Sequence, residues 1–589
     1  MFGLIVAIAS VAVAAQPLFV AYPPANHKTT ADRIFLVGTA PPPGQVLVNG
    51  NQISRTAAGH FAPTFPLQLG ENLFTLRYEN QEVKIKVTRQ SNQPEVPVGL
   101  AFAKDSLTPK VDVASLPGEY ICFGAIAPAN AQVSVKLAGV TIPLKARSQV
   151  ELPDNKSVLL GENSPIKKGG SQQYQGCGKT PENSLSSKGK KVDLGLPSFE
   201  LTMNDRTISQ QGTGKISILS PADLEIAEVT ANPGVARTGA STDFSRMTPL
   251  PKGTRATVIG REGEWIRLDY GAWIKASEVQ IVKDAVPARS IIRSARSRQV
   301  SGWTEVLFPL ETPVPVTVQE GERTFTLTLY NTTAQTDIIR LDDDPVISRL
   351  AWQQISPLQV QYTFNLKSAQ QWGYKLRYDG TTLVLSLKHP PANTSMMPVS
   401  QAKPLSGIKI LIDAGHGGPQ DSGAVGPAGI REKTVALTVS KLVQQELVNR
   451  GADVVMTRVE DVDLDLPPRV EMIQKEEPAI AISIHYNALP DNGDAINTKG
   501  VGAFWFHPQA HSLAMFLHNY LVAKLNRPSY GVFWNNLAMT RPAVAPSVLM
   551  ELGFLINPEE FEWIVNPTEQ KKLAEAIAQG VTEWFASVK

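Results

Sequence analysis

Cysteine is almost missing from this chain, with two residues, Cys122 and Cys177, among 589. That scarcity excludes a disulfide-dense scaffold and a cysteine-rich metal cluster. An excess of one charge is missing too: 56 Lys and Arg face 54 Asp and Glu, for a net charge of +2. No global field therefore draws in nucleic acid. Charged residues reach only 19%, against about 25% in an average globular chain. Long apolar runs are confined to the amino terminus, and no later stretch reaches the ~20 residues that cross a bilayer. Turn formers are plentiful, 43 Gly and 44 Pro, beside 42% hydrophobic residues. Cores can therefore form, which excludes wholesale disorder. The length predicts about four domains at ~150 residues each, and the composition favours many short strands.

Met1–Ala15 reads MFGLIVAIASVAVAA, the length of a secretory signal peptide ending in small residues. Ala12-Val13-Ala14 fits the cleavage pattern, and Gln16-Pro17 begins a polar stretch, although no Lys or Arg precedes the apolar run. The expectation is an exported protein of the periplasm or cell wall, with no integral membrane span in the mature chain. In such a compartment Cys122 and Cys177 are an even pair. A bridge would clip the polar insertion Asn155–Lys191, whereas two unpaired thiols would leave it open, and the sequence does not choose.

Residues 22–90 alternate short apolar runs with turn signals, among them Asn49-Gly50 after Val46-Leu47-Val48. Asn-Gly between such runs signals a hairpin, and the spacing predicts a small β-sandwich. VGTAPPPGQVLV (Val37–Val48) partly recurs as FGAIAPANAQVSV (Phe123–Val135), which predicts a second, diverged β-rich domain over 91–230. Both resemble Ig-like sandwiches of exported enzymes. Between 232 and 283 come Val235-Ala236-Arg237, Gly253-Thr254, Gly263-Glu264-Trp265 and Gly271-Ala272-Trp273-Ile274. These mark short strands around two tryptophans, enough for a five-strand barrel in which at least one of Trp265 and Trp273 packs in the core. This stretch resembles the bacterial SH3-like (SH3b) domain, and the resemblance implies wall binding. Arg289, Arg293, Arg296 and Arg298 read as a solvated linker. Residues 287–391 return to a period of two and are similar in strand pattern to AMIN-type wall-binding domains. Asp342-Asp343-Asp344 lacks the spacing of a calcium loop and reads as a turn. Residues 392–406 form a Pro/Ser/Asn-rich linker.

From 407 to 589 the pattern changes to strands alternating with helices, predicting an α/β domain with a mainly parallel sheet. Strands are expected at Ile408–Ile412, Val454–Met456, Ala479–Ile484, Val501–Phe506 and Val548–Met550. Helices are expected at Val435–Val448, Leu513–Leu525 and Gln570–Phe585. In such sheets a site forms at the carboxyl ends of the strands. His416 follows the first strand in a Gly-rich loop, His485 follows AIAISI, Glu551 ends SVLM, and Glu432 opens the first helix. Singly, each has an ordinary explanation: a hydrogen-bonded core histidine, a helix-dipole charge, a structural carboxylate. Jointly, two His and one Glu form a catalytic zinc set with one coordination position left for water. The second Glu is then free to act as general base. His507, His511 and His518 lack such a pattern and read as surface or packing residues.

The same segment carries ILIDAGHGG (Ile410–Gly418), SGAVGPAGIREKTVAL (Ser422–Leu437), VVMTRVEDVDLDLPPRV (Val454–Val470), SIHYNA (Ser483–Ala488) and SVLMELGFLINPEE (Ser547–Glu560). In content and order these resemble the zinc-dependent N-acetylmuramoyl-L-alanine amidases of the Amidase_3 type. Ala414 departs from the family's usual Pro and touches no ligand. The resemblance implies His416, Glu432 and His485 as ligands of one Zn²⁺ and Glu551 as the catalytic carboxylate. It also implies peptidoglycan as the partner and cleavage of the bond between N-acetylmuramic acid and L-alanine. Leu489–Lys499 is too short for the occluding helix that some division-associated relatives carry, so no built-in helical plug is expected. Two rivals remain open from sequence: a zinc peptidase cutting wall peptides, and a non-catalytic wall-binding scaffold.

Overall fold

The computed structural model describes residues 17–91, 97, 99–147, 150–153, 157–160, 164, 166–167, 172–180, 191–282, 286–391 and 403–588. The expected leader, residues 392–402 of the linker and most of the polar insertion lie outside the described residues. The chain divides into two compact units. One is built from Met1–Asn92, Gln370–Gly373 and Pro390–Lys589, the other from Gln93–Ala369 and Tyr374–His389.

The first unit opens with two facing sheets. Phe19–Tyr22, Val37–Thr39 and His60–Phe61 form one; Asn26–Thr29, Gln81–Arg89, Gly70–Tyr78, Leu47–Val48 and Asn51–Gln52 form the other. Alternation along Gly70–Tyr78 turns Phe74, Leu76 and Tyr78 inward, against Ile34, Leu36 and Val87. Asn49 and Gly50 both take positive φ, +49° and +85°, as a two-residue hairpin turn demands. Phe19–Tyr22 precedes the expected start at 22, yet it pairs antiparallel with Val37–Thr39.

The carboxy-terminal part of this unit is a six-stranded sheet flanked by helices. Its order is Asp453–Met456, Lys409–Ala414, Ile480–Asn487, Ser547–Phe554, Val501–Trp505 and Ser529–Trp534. The first four run parallel. Val501–Trp505 is antiparallel to Ser547–Phe554 and parallel to the edge strand Ser529–Trp534. Lys409–Ala414 is buried over its last five residues, as an apolar strand covered on both faces must be. Helix α1 (Glu432–Asn449) lays Val435, Val439, Val443 and Leu447 on the sheet, a run at helical spacing. Helix α2 (Leu466–Glu476) and α3 (Pro508–Leu525) follow. Helices α4 (Pro558–Ile564) and α5 (Pro567–Ser587) begin alike: Asn557 and Asn566 each accept two backbone N–H groups, with Pro at the first helical position. Both features suit a helix start. Trp372, from the short Gln370–Gly373 segment, stacks on Phe585 and meets Trp584 edge-on.

The second unit is all β apart from short 3₁₀ turns. Its first module is a six-stranded antiparallel sheet, within which Tyr120–Ala127 pairs with Gln172–Lys179 and Cys122 lies opposite Cys177. The two cysteines are bridged. Strand Val113–Ser115 leaves this module and pairs with Arg255–Glu262, joining it to the next one through a continuous sheet. That next module comprises Ile226–Val229, Arg255–Glu262, Trp265–Leu268, Trp273–Lys275 and Val279–Val282. Ile226–Val229, assigned from sequence to the preceding domain, pairs instead with Arg255–Glu262 and Val279–Val282 because Ala227 and Val229 fill this core. Trp265 is buried and Trp273 half-buried.

Ser290–Val300 corrects the expected arginine linker. It is an eleven-residue strand between Trp303–Pro309 and Thr332–Arg340, with Ile292 and Ala295 inward and Arg293 and Arg296 outward. A bulge between Ile292 and Ser294 breaks the alternation that would have revealed it. Asp344 is buried and accepts from the Thr304 hydroxyl at 2.6 Å and from the Val346 and Ile347 N–H groups at 2.8 Å, so it closes a turn.

Candidate metal centre

The strand Lys409–Ala414 ends at Gly415, and His416 follows in the left-handed region at φ +56°, a conformation rare for a residue with a Cβ. Arginines pay for this bend by gripping the backbone carbonyls around it. Arg458 donates to the carbonyls of Ala414 (2.9 Å) and Gly415 (2.8 Å), and Arg469 to those of Ala414 and His416, both at 2.7 Å. Arg469 also donates to Asp413 at 2.6 Å, and Asp413 accepts the hydroxyls of Thr457 and Ser483. Burial alone would raise the Asp413 carboxyl, but Arg469 and His485 hold it below the ordinary aspartate range.

Glu432, the first residue of α1, is 4% exposed. Its Oε1 lies 3.2 Å from His416 Nε2 and 3.0 Å from His485 Nδ1, and also accepts the Tyr486 N–H. Its Oε2 accepts the Ala424 N–H at 2.8 Å. Burial pushes the Glu432 carboxyl up, yet the two imidazoles outweigh it and keep the group well below the usual glutamate range. Burial likewise opposes charge on His416, while Glu432 and Asp421 push its pKa up to about 9 in the metal-free protein. Asp421 faces His416 Nδ1 at 2.6 Å. A carboxylate on the outer ring nitrogen fixes which nitrogen is turned inward.

Glu551 stands beside His485 on the neighbouring parallel strand. Its Oε2 is enclosed and has no hydrogen-bond partner among the described residues. Burial first, and the Glu432 charge second, raise its carboxyl well above the ordinary range. All four residues singled out from sequence thus meet at one end of the sheet. Among the described residues, His416, Glu432 and His485 are the cluster with metal-ligand geometry, one donor atom of each lying within 4.8 Å of the others.

Two glycines keep the space between these donors free. A Cβ at Gly415 would stand 2.4 Å from the His485 ring, and one at Gly423 would stand 2.5 Å from Glu432 Oε2 and 2.7 Å from His416 Cδ2. The cradle, the donor set and the orphaned Glu551 oxygen fit one zinc ion. Sequence reasoning assigned no role to Asp413, Asp421, Arg458 or Arg469. All but Asp421 sit inside the quoted motifs, and Asp421 lies just between two of them. A buried charge repeated at strand ends was the available signal. His507, by contrast, bonds the Arg541 carbonyl, and His518 meets Ser529 and Asn519.

The amino-terminal module reaches the three loops that lead from this centre. Phe19 lies against Gly429, ahead of Glu432. Tyr22 donates to Asp491 and His27 Nε2 meets it at 2.9 Å, in the turn-forming segment after His485. Phe35, Val37 and Ala62 share a core with Ala495, Phe554 and Ile556, beyond Glu551, while His60 packs edge-on against Phe561.

Two imidazoles, one buried carboxylate and an adjacent unpaired carboxylate on an α/β sheet define a site of the metal-dependent hydrolase class. The N-acetylmuramoyl-L-alanine amidase profile matches residues 410–583. The germination-specific N-acetylmuramoyl-L-alanine amidase of Bacillus subtilis (strain 168) is 34% identical over 199 residues, 31% of this chain and 81% of that protein. YrvJ of the same organism is 25% identical over 438 residues, 71% of this chain and 78% of its own length. A solved catalytic domain of CwlV, an N-acetylmuramoyl-L-alanine amidase from Bacillus (Paenibacillus) polymyxa var. colistinus, is 30% identical, covering 31% of this chain and 99% of that one at a TM-score of 0.29. The chain belongs to the N-acetylmuramoyl-L-alanine amidase family.

Proposed function

We propose that this protein is a zinc-dependent peptidoglycan hydrolase that cuts the amide between N-acetylmuramic acid and the L-alanine of the stem peptide. The observation that carries this reading is the unpaired Glu551 beside a His416, Glu432, His485 cluster, in a chain of the amidase family. His416, Glu432 and His485 would hold the ion. Bound zinc supplies an acidified water and polarises the amide carbonyl. Glu551 takes the proton of the attacking water and returns it to the departing L-alanine amine, a task suited to a carboxyl whose proton affinity is raised by burial and by Glu432. Asp421 orients His416, and the arginine-held loop fixes its place, so little reorganisation is left for the reaction itself.

We place the protein outside the cytoplasm, in the periplasm or cell wall. The Cys122–Cys177 bridge supports an oxidising compartment, and no described helix is long and apolar enough to cross a membrane. The SH3b-like stretch 232–283 and the AMIN-like stretch 287–391 serve as wall-binding modules in this reading. Purified sacculi digested with the protein should release new L-alanine amino termini, seen by mass spectrometry, and a chelator should stop the release. Cuts inside the stem peptide, or release unaffected by chelation, would overturn the assignment.

A further inference from the structure

Where Val113–Ser115 crosses onto Arg255–Glu262, the second unit encloses a cavity of about 300 Å³. Two of its polar groups have no partner among the described residues. Ser115 is 8% exposed, and its Oγ is enclosed and makes no hydrogen bond. Glu262 also lines the cavity, half-buried, with no cation facing its carboxylate; burial alone raises its carboxyl. A buried hydroxyl left unpaired costs about 1–3 kcal/mol, and a native fold tolerates this most readily where a ligand completes the pairing.

The rest of the lining narrows the ligand. Arg267, engaged by Glu119 through Nη1 at 2.9 Å, and Arg261, paired with the exposed Glu225, bring guanidinium groups to the same space. Tyr120, 70% exposed, and the half-buried Trp273 add aromatic surface. An anionic group and a hydroxyl want an ammonium, guanidinium groups want a carboxylate, and ring faces want an aliphatic stem or a cation. The volume is at the lower end for ligand sites, enough for one or two residues of a peptide.

We propose that this cavity binds a short peptide through a free ammonium group, held by Glu262 and Ser115, with its carboxylate toward Arg267 and Arg261. Taken with the amidase reading above, on which the choice of ligand rests, that peptide is the stem peptide of the wall. Such a peptide offers the ammonium from two sources: the side chain of a diamino acid in the intact polymer, or the L-alanine amine that cleavage frees.

Calorimetric titration of the full chain with synthetic L-Ala-γ-D-Glu-L-Lys tests the site. Glu262→Gln should weaken binding about tenfold and Ser115→Ala about threefold, with hydrolysis of a soluble muropeptide unchanged in both. Acetylation of the α-amine alone, or of the lysine amine alone, identifies which source is recognised; acetylation of both should abolish binding. Equal binding of the doubly acetylated peptide, indifference to Glu262→Gln, or no binding of the free tripeptide would overturn the proposal. Failure of the amidase reading would show separately, as absence of muropeptide hydrolysis by the unaltered chain.

Discussion

The two amino-terminal β-modules begin from partly recurring sequence and end with different partners. The first, within Met1–Asn92, turns Phe35, Val37, Tyr22 and His27 onto the loops that follow the catalytic strands. The second sends Val113–Ser115 into the sheet of the small five-strand module beside it. One is joined by side chains, the other by backbone. A shared strand pattern therefore sets the kind of fold, while a few outward-facing residues decide what that fold supports. The first module belongs to the catalytic body, and the second to a binding body.

The largest expected effect bears on the reference for that comparison. Glu551→Gln should lower turnover by about 10³-fold, within the range for a lost general acid–base, while zinc content and melting temperature stay unchanged; unaltered turnover would remove its catalytic role. A matched pair of core truncations then separates the modules. Phe35 and Phe199 are both buried, and each change to Ala should cost about 3–5 kcal/mol. Phe35→Ala should also lower zinc retention and muropeptide hydrolysis, because Phe35 shares its core with Phe554 and Ile556. Phe199→Ala should leave hydrolysis within about twofold, since its neighbours belong to the second unit. Equal losses of activity would erase the distinction.

The smallest effect sharpens it. Burial raises the Asp491 carboxyl, but Thr29, Tyr22 and His27 overcome this and hold it below the ordinary range. Its contribution is complete above the unfolded value of about 3.9 and is lost as pH falls through the lower folded value. Asp491→Asn should cost about 1–3 kcal/mol at pH 7 and flatten the acid limb of the melting curve. A variant with the same acid limb as the parent would show that this contact does not join the module to the catalytic domain.

The catalytic domain was the most legible part of the sequence. Its strands are continuous apolar runs ending in Gly, His or Glu, so the sheet and the positions of His416, His485 and Glu551 follow from pattern. The helix α1 begins at Glu432 rather than Val435, a difference of one turn that places the ligand inside the helix. What stayed hidden were interactions between distant segments. Arg458 and Arg469 look like ordinary surface charges until the loop they hold is folded over them. The edge strand Ser529–Trp534 and helix α2 were passed over because Gly531 interrupts one and Pro467-Pro468 open the other. Ser290–Val300 was concealed by its bulge.

Tyr22 and Asp491 are separated by 469 residues of sequence. Synthesis and export proceed from the amino terminus, so the first module emerges with Phe35, Val37 and Ala62 exposed and waits for nearly the whole chain before its partner surface arrives. An apolar face left bare for that interval is a target for aggregation and for chaperones. The enzyme is completed late: its catalytic loops gain their support only when the last part of the polypeptide folds back onto the first.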